Sequence, residues 1–333
     1  MTKLNITGLK ETSLPMEELG PSGNGTYEHL GSQGGTEQMM AGLRQRLPAD
    51  LLDKFNFICS RVRDENISKT KKNILWLHDT WDDPESQHLK DPKSLERFSK
   101  LVFVSNYQQA TYNMGLGVPY NRGVVMQNAI VPIEKHEKPK GKINLIYHTT
   151  PHRGLELLIP ICEFLAARGV DFHLDVYSSF SIYGWPDRDQ PYQELFDRIK
   201  KHPKMTYHGF QPNHVIREAL KKAHIYAYPN IWPETSAISV LEAMSAGCNV
   251  ICPNFQVLPE TCANFAVMYN WDEDNNRHAN AFAGILKMVI EQYWEEFNQD
   301  RLKLQKIYFD TFYNWDVRAR QWEDLLTALA SKP

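Results

Sequence analysis

The sequence shows no excess of charge of either sign: 37 Lys and Arg stand against 40 Asp and Glu, a net charge of −3 over 333 residues. The basic residues are spread along the chain rather than gathered in one block, which excludes the electrostatic footprint of a nucleic-acid binder. No apolar run approaches the length of a membrane span, and no apolar N-terminal stretch of signal length is present, so a cytoplasmic protein is expected. The five cysteines (Cys59, Cys162, Cys248, Cys252 and Cys262) are odd in number and sit mostly in apolar runs. Cys248 and Cys252 are too far apart for a C-x-x-C pair and have no histidine nearby, so all five read as buried thiols of a reducing compartment. The Asn-x-Ser/Thr triplets at Asn5, Asn24 and Asn66 are then chance matches. No G-x-G-x-x-G follows a predicted strand, which argues against a dinucleotide dehydrogenase. The Gly-rich stretch 20–35 has no Gly-Lys-Ser/Thr and is not a Walker phosphate loop. Repeats, heptads and low-complexity tracts are lacking as well.

What the chain does have is alternation. Short β-branched and aromatic runs predict strands at 55–59, 73–77, 101–105, 124–127, 143–147, 172–177, 205–208, 224–228, 249–252 and 266–269. Residues 4–7 are a further candidate strand. Helical spacing begins at Thr36 and recurs at 106–114, 155–167, 193–200, 213–222, 237–247, 279–296, 300–312 and 320–326. Such alternation predicts an α/β protein of two doubly wound domains. Their expected limits are 1–131 and 132–312, with 313–333 as a terminal helix and the charged, Pro-containing stretch 132–142 as a hinge.

The stretch 228–260, YPNIWPETSAISVLEAMSAGCNVICPNFQVLPE, organises the rest. It reads as strand, loop, helix and strand of a parallel sheet, with Thr235 and Ser236 as N-cap types and Gly247 as the stop. Glu234 lies just before the helix and Glu242 about two turns later. A helix N-terminus suits a phosphate, and a carboxylate can hold a vicinal diol. On spacing alone the plainer reading, one solvated Glu and one loop Glu on an amphipathic helix, is preferred. His78, at the end of a buried strand, is by itself a satisfied structural group. Asp79, Asp82 and Asp83 behind it admit a metal or, in preference, a solvated acidic turn. Gly34-Gly35, at a loop-to-helix junction, is either a close-approach point for a ligand or a flexible loop with a glycine cap. Asp187-Arg188-Asp189 is a D-x-D triplet, but it lies in a polar loop and reads as surface.

The context changes this weighing. The block from Glu234 to Glu260 resembles the nucleotide-sugar signature of the retaining family 4 glycosyltransferases of the GT-B class, E-(x7)-EAMA-G-x-P-V-(x)n-G-x-P-E. Glu242-Ala243-Met244, Gly247, Val250 and Leu258-Pro259-Glu260 fall on it. Thr235-Ser236-Ala237 replaces the family's Gly-aromatic-Gly. The order VSNYQQATYN…VVMQNAI, ending in Asn128-Ala129-Ile130, matches the end of the family's first domain.

The resemblance implies two Rossmann-like domains facing a cleft, with the C-terminal helix crossing back to the first. It implies a retaining transferase that moves a sugar from a nucleoside diphosphate sugar, UDP- or GDP-linked, to a hydroxyl of a carbohydrate or glycolipid, with no metal or other cofactor required. The catalytic residues would be His78 (donor sugar), Glu234 (donor-sugar hydroxyls) and Arg153 (diphosphate). Arg153 and His148 occupy the family's Lys and Arg positions in the loop that also carries Thr149. Gly34 and Gly35 would face the donor phosphate, and Gly209-Phe210 the base. Thr235, Ser236, Ala237 and Ile238 would form the helix-start seat, and Glu242 would hold the ribose. The rival readings are a nucleotide-sugar or glycan-binding module without turnover and a nucleotide-sugar epimerase of the same fold. Lys135, Lys138, Lys140 and Lys142 admit a peripheral membrane contact or a solvated linker.

Overall fold

The computed structural model describes residues 3–5 and 34–331. The candidate strand at 4–7 and the Gly-rich stretch before Gly34 lie largely outside the described residues. The chain divides into two compact units. The N-terminal unit comprises 34–131, Pro233–Ile238 and 312–331; the C-terminal unit comprises Pro132–Trp232 and Ser239–Thr311 together with residues 3–5.

The N-terminal unit contains a parallel sheet of β1 (Phe55–Cys59), β2 (Lys72–Leu77), β3 (Lys100–Phe103) and β4 (Gly123–Val125), in that spatial order. Its helices are α1 (Gly35–Arg44), α2 (Ala49–Leu52), α3 (Pro92–Glu96) and α4 (Asn106–Leu116). β2 shows why these residues form a central strand. Ile74 and Trp76 pack on one face with Met39 and Leu43 of α1, while Leu75 and Leu77 pack on the other with Phe103 and Tyr112. A parallel strand covered on both faces reads as a continuous apolar run, as KNILWL does. Helix α4 starts where Ser105 accepts the Gln108 N–H and stops at Gly117 in the left-handed conformation.

The C-terminal unit carries β5 (Ile143–Tyr147), β6 (Phe172–Val176), β7 (Met205–Tyr207), β8 (Ile225–Ala227), β9 (Asn249–Pro253) and β10 (Val267–Tyr269). They form one parallel sheet in the order β10-β9-β8-β5-β6-β7. Around it run α5 (Leu155–Ala166), α6 (Gln193–Lys201), α7 (Asn213–Lys222), α8 (Ile238–Ser245), α9 (Leu258–Cys262), α10 (Asn275–Glu291) and α11 (Glu296–Phe312). Both α10 and α11 begin about four residues before the expected starts. For α10 the reason is Asp274, whose carboxylate accepts from the Asn276 and Arg277 N–H groups ahead of the first apolar turn. The short α9 was not expected; it carries Leu258-Pro259-Glu260, with proline in its first turn.

The last helix, α12 (Trp315–Ala330), is longer than the expected 320–326. Asn314 caps it, accepting from Val317 N, and bridges to Ile130. Trp315, Trp322 and Leu326 join the core of the N-terminal unit, where the Trp322 ring lies edge-on to Trp76 at 4.8 Å. The packing leaves no room for a larger residue at Gly42, where a Cβ would come within 2.1 Å of Trp315. The architecture is thus two parallel-sheet Rossmann-like domains with C-terminal helices. Among the described residues no helix is long and apolar enough to cross a membrane.

Candidate functional site

In the N-terminal unit, the sequence places its polar residues at the carboxyl ends of the strands, where parallel sheets bind ligands. His78 directly follows β2. Its backbone N–H donates to Ser60 Oγ at 2.9 Å, and its carbonyl accepts from Thr235 Oγ at 2.7 Å. Ser105, beyond β3, donates its hydroxyl to the Thr235 carbonyl at 2.8 Å. Thr235 is therefore bolted to the ends of two neighbouring strands. This corrects its expected role as an N-cap: α8 begins only at Ile238, after Ala237 in the left-handed conformation (φ 54°), and the Thr235 hydroxyl hydrogen goes to His78. Ile238 lies against Gly35, where a Cβ would approach its Cδ1 to 2.9 Å. Gly35, the 234–238 segment and His78 are thus brought together in one unit, with Glu234 and Ser236 buried.

The His78 ring sits 5.0 Å from Trp76, and its Nε2 is buried with no hydrogen-bond partner among the described residues. Burial pushes the imidazole down to about 3, so it is neutral at physiological pH. The acidic turn behind it is not the solvated surface expected from sequence. Arg61 pairs with Asp79 at 3.3 Å and with Asp83 at 2.8 Å, while Asp82 is exposed. Burial raises the Asp79 carboxyl to about 6 against the opposing pull of Arg61. Nothing in the sequence singled out Arg61, because its partners lie about twenty residues away.

In the C-terminal unit, the loop following β5 holds His148, Thr149, Thr150, His152 and Arg153. Gly154 closes it with φ 114°, so near β8's loop that a Cβ would meet the Pro229 carbonyl oxygen at 2.2 Å. His148 packs on Tyr226 at 4.6 Å and bonds the Ser239 backbone in the first turn of α8. Burial drives it to about 3, so it supplies no positive charge; Arg153 does. Four polar atoms here are buried without a hydrogen-bond partner among the described residues: His148 Nε2, Thr150 Oγ1, His152 Nδ1 and, just beyond β6, Ser178 Oγ. The His152 ring stacks on Phe180 at 5.1 Å and meets Trp232 edge-on at 4.5 Å. Burial, with Arg153 and Arg188 near, holds it well below its ordinary value. Interiors satisfy nearly all buried polar atoms, so four orphans at two adjacent strand ends make this loop the candidate site for a polar ligand. Sequence reading missed Thr150, His152 and Ser178; their orphaned state is a tertiary property with no local signal.

Glu242 is buried on α8, and burial raises its carboxyl. Asn213 Nδ2 donates to both of its oxygens at 3.1 Å and Arg217 Nη1 to one at 3.4 Å. Asn213 and Arg217 lie one turn apart on α7, an i,i+4 pair that orients the carboxylate and leaves it lone pairs to accept from a ligand. Gly209 takes a left-handed φ of 63°, and Phe210 beside it is half-buried. The preceding His208 stacks flat on Tyr177 at 4.2 Å and bonds Asp175 at 2.7 Å. In the D-x-D triplet, Asp189 is not solvated surface. It accepts from Ser179 Oγ and from the Phe180 N–H at 2.8 Å, fixing the loop after β6.

Chains of similar fold are glycosyltransferases. A glycosyltransferase from Rickettsia africae superposes with a TM-score of 0.67 at 15% identity, over 91% of this chain and 84% of that one. HepE from Anabaena, solved with UDP-glucose, gives 0.62 at 14% identity over 78% and 72%. Sucrose-phosphate synthase from Thermosynechococcus elongatus gives 0.62 at 14% identity over 79% and 69%. The two-domain fold is therefore that of the GT-B class. The model of the family of glycosyl transferases group 1 matches residues 129–299, just over half of the sequence, and the chain belongs to that family. No curated protein matches it in sequence.

Proposed function

We propose that this glycosyltransferase moves a sugar, with retention at the anomeric carbon, from a nucleoside diphosphate sugar to a hydroxyl of a carbohydrate or glycolipid. The observation that carries the reading is the group of orphaned polar atoms around Arg153, on the strand ends of the unit that the family model covers. A diphosphate brings acceptor oxygens and a ribose brings hydroxyls, the partners such atoms lack. Arg153 and the first turn of α8 stabilise the departing diphosphate. Glu242, oriented by Asn213 and Arg217, takes the ribose diol. Glu234 and His78 take the donor sugar, and Gly209-Phe210 meets the base. The acceptor loses its proton to the departing diphosphate as the new glycosidic bond forms on the same face. Since HepE was solved with UDP-glucose, UDP-sugars head the candidate donors, with GDP-sugars next.

The test is a panel of UDP-, GDP-, ADP- and dTDP-sugars with mixed glycan acceptors, with and without EDTA, followed through released nucleoside diphosphate and the anomer of the product. Release from one donor, unaffected by EDTA, lost in Glu242→Ala and giving the donor's own anomer, supports the proposal. An inverted product sinks retention. Binding without release under every condition turns the reading into a binding module.

A further inference from the structure

One buried side chain in the N-terminal unit makes no hydrogen bond through its carbonyl oxygen among the described residues. Asn128 follows β4, and the residue is 4% exposed. The neighbouring Ala129 N–H is held by Met39 Sδ of α1 at 3.4 Å, which fixes the backbone there. Yet the Asn128 Oδ1 is buried with no hydrogen-bond partner among the described residues. Burying a carboxamide oxygen in that state is unfavourable relative to a satisfied group. A leucine of similar size would avoid the cost, so the fold alone gives no reason for the amide.

Its surroundings say what the oxygen awaits. The sheet order puts β4 beside β3 and β3 beside β2. Asn128 therefore stands at the same carboxyl edge as His78, whose Nε2 is also orphaned, with Ser105 and the bolted Thr235 at the strand ends between them. Strands lie about 4.8 Å apart, so the axes of β2 and β4, on either side of β3, are separated by roughly 10 Å. Both orphans are neutral, which fits hydroxyl groups and not a phosphate. Glu234, next to Thr235, belongs to the same unit.

We propose that Asn128 binds the donor sugar, its Oδ1 accepting from a ring hydroxyl, and so helps to set which sugar the enzyme uses. This rests on the transferase reading above. Asn128 then contacts the sugar and not the nucleotide, and it can be removed without harm to the fold.

The experiment compares the full chain with Asn128→Ala and Asn128→Leu, measuring calorimetric binding of UDP, GDP, ADP and dTDP and of the matching sugar nucleotides, together with the melting temperature. The expected result is a loss of about tenfold in affinity for the sugar nucleotide, as one or two lost hydrogen bonds give. Affinity for the bare nucleotide should be unchanged, and the Leu variant should melt no lower than wild type. Equal losses for nucleotide and sugar nucleotide, or no loss at all, overturn the assignment; the second result means that the amide holds only a structural water. A wild-type chain that binds no member of the panel defeats the transferase reading, and this proposal with it.

Discussion

At the scale of single residues, the site depends on which groups are charged. His78 and His148 are both held near 3 by burial, so neither titrates between pH 5 and 8. A rate profile across that range should show no limb that disappears in a variant of either histidine. His78→Ala should lower kcat by roughly a hundredfold while changing donor affinity little, the signature of a contact strengthened in the transition state. Equal losses in both would make His78 a ground-state ligand only. Asp79 behaves differently. Its folded-state value, about 6, lies above the ordinary carboxylate value of 3.8, so the folded protein holds a proton that the unfolded chain has already released. That stabilises the fold below about pH 4 and is lost as pH rises through 6. Asp79→Asn, which keeps the neutral form at all pH values, should therefore gain stability relative to wild type on going from pH 4.5 to 7.5. Two units correspond to at most about 3 kcal/mol, and the 27% of the side chain left exposed reduces this further. Thermal melts at the two pH values read the sign directly. A variant that loses ground toward pH 7.5 shows instead that the Arg61 pair dominates.

At the scale of elements, the comparison of sequence and structure divides by range. β1 and β5 have the expected limits, because an apolar run bounded by turn residues is a local pattern. Helix α7 does as well, and Glu242 falls on the helix after β8 as expected. What depended on distant partners was not readable. Thr235 looks like a cap and is a bolt, because its hydrogen-bond partner His78 lies 157 residues away in sequence. Asp83 looks solvated and is paired, and Thr150 and Ser178 look like loop hydroxyls and are orphans. Gly154 shows the same division. In sequence it is only the last residue of the loop between β5 and α5, whereas it has φ 114° and a Cβ there would meet the Pro229 carbonyl oxygen at 2.2 Å. Gly154→Ala should thus cost several kcal/mol, on the order of 3 or more, since backbone cannot yield as a side-chain tip can. Gly35→Ala, which meets only the mobile end of Ile238, should cost far less. Denaturant midpoints of the two variants test this ranking; similar losses would mean that the loop after β5 relaxes around the new methyl.

At the scale of the molecule, the residues proposed for the nucleotide and those proposed for the donor sugar fall in different compact units, so damage to one core should separate binding from transfer. Trp322 of α12 packs on Trp76 at 4.8 Å, and Trp76 packs on the His78 ring at 5.0 Å. A chain of three rings thus runs from the C-terminal helix to the carboxyl edge of the sheet of the N-terminal unit, where His78 lies. Trp322 is fully buried, and Trp322→Ala should cost about 3–5 kcal/mol. The loss should appear in hydrogen exchange as faster opening of β2 and α12, with β5 and α5 still protected. Arg153, His148 and Glu242 belong to the C-terminal unit, so affinity for the bare nucleoside diphosphate should hold. The rate of transfer should fall, because the ring chain no longer fixes His78. The milder Trp322→Phe, which keeps a ring against Trp76, should recover most of that rate. If nucleotide affinity falls in step with transfer in both variants, the two units do not divide the chemistry and the nucleotide seat depends on the N-terminal core. If neither changes while exchange quickens, α12 serves stability alone and His78 is positioned by Ser60 and Thr235.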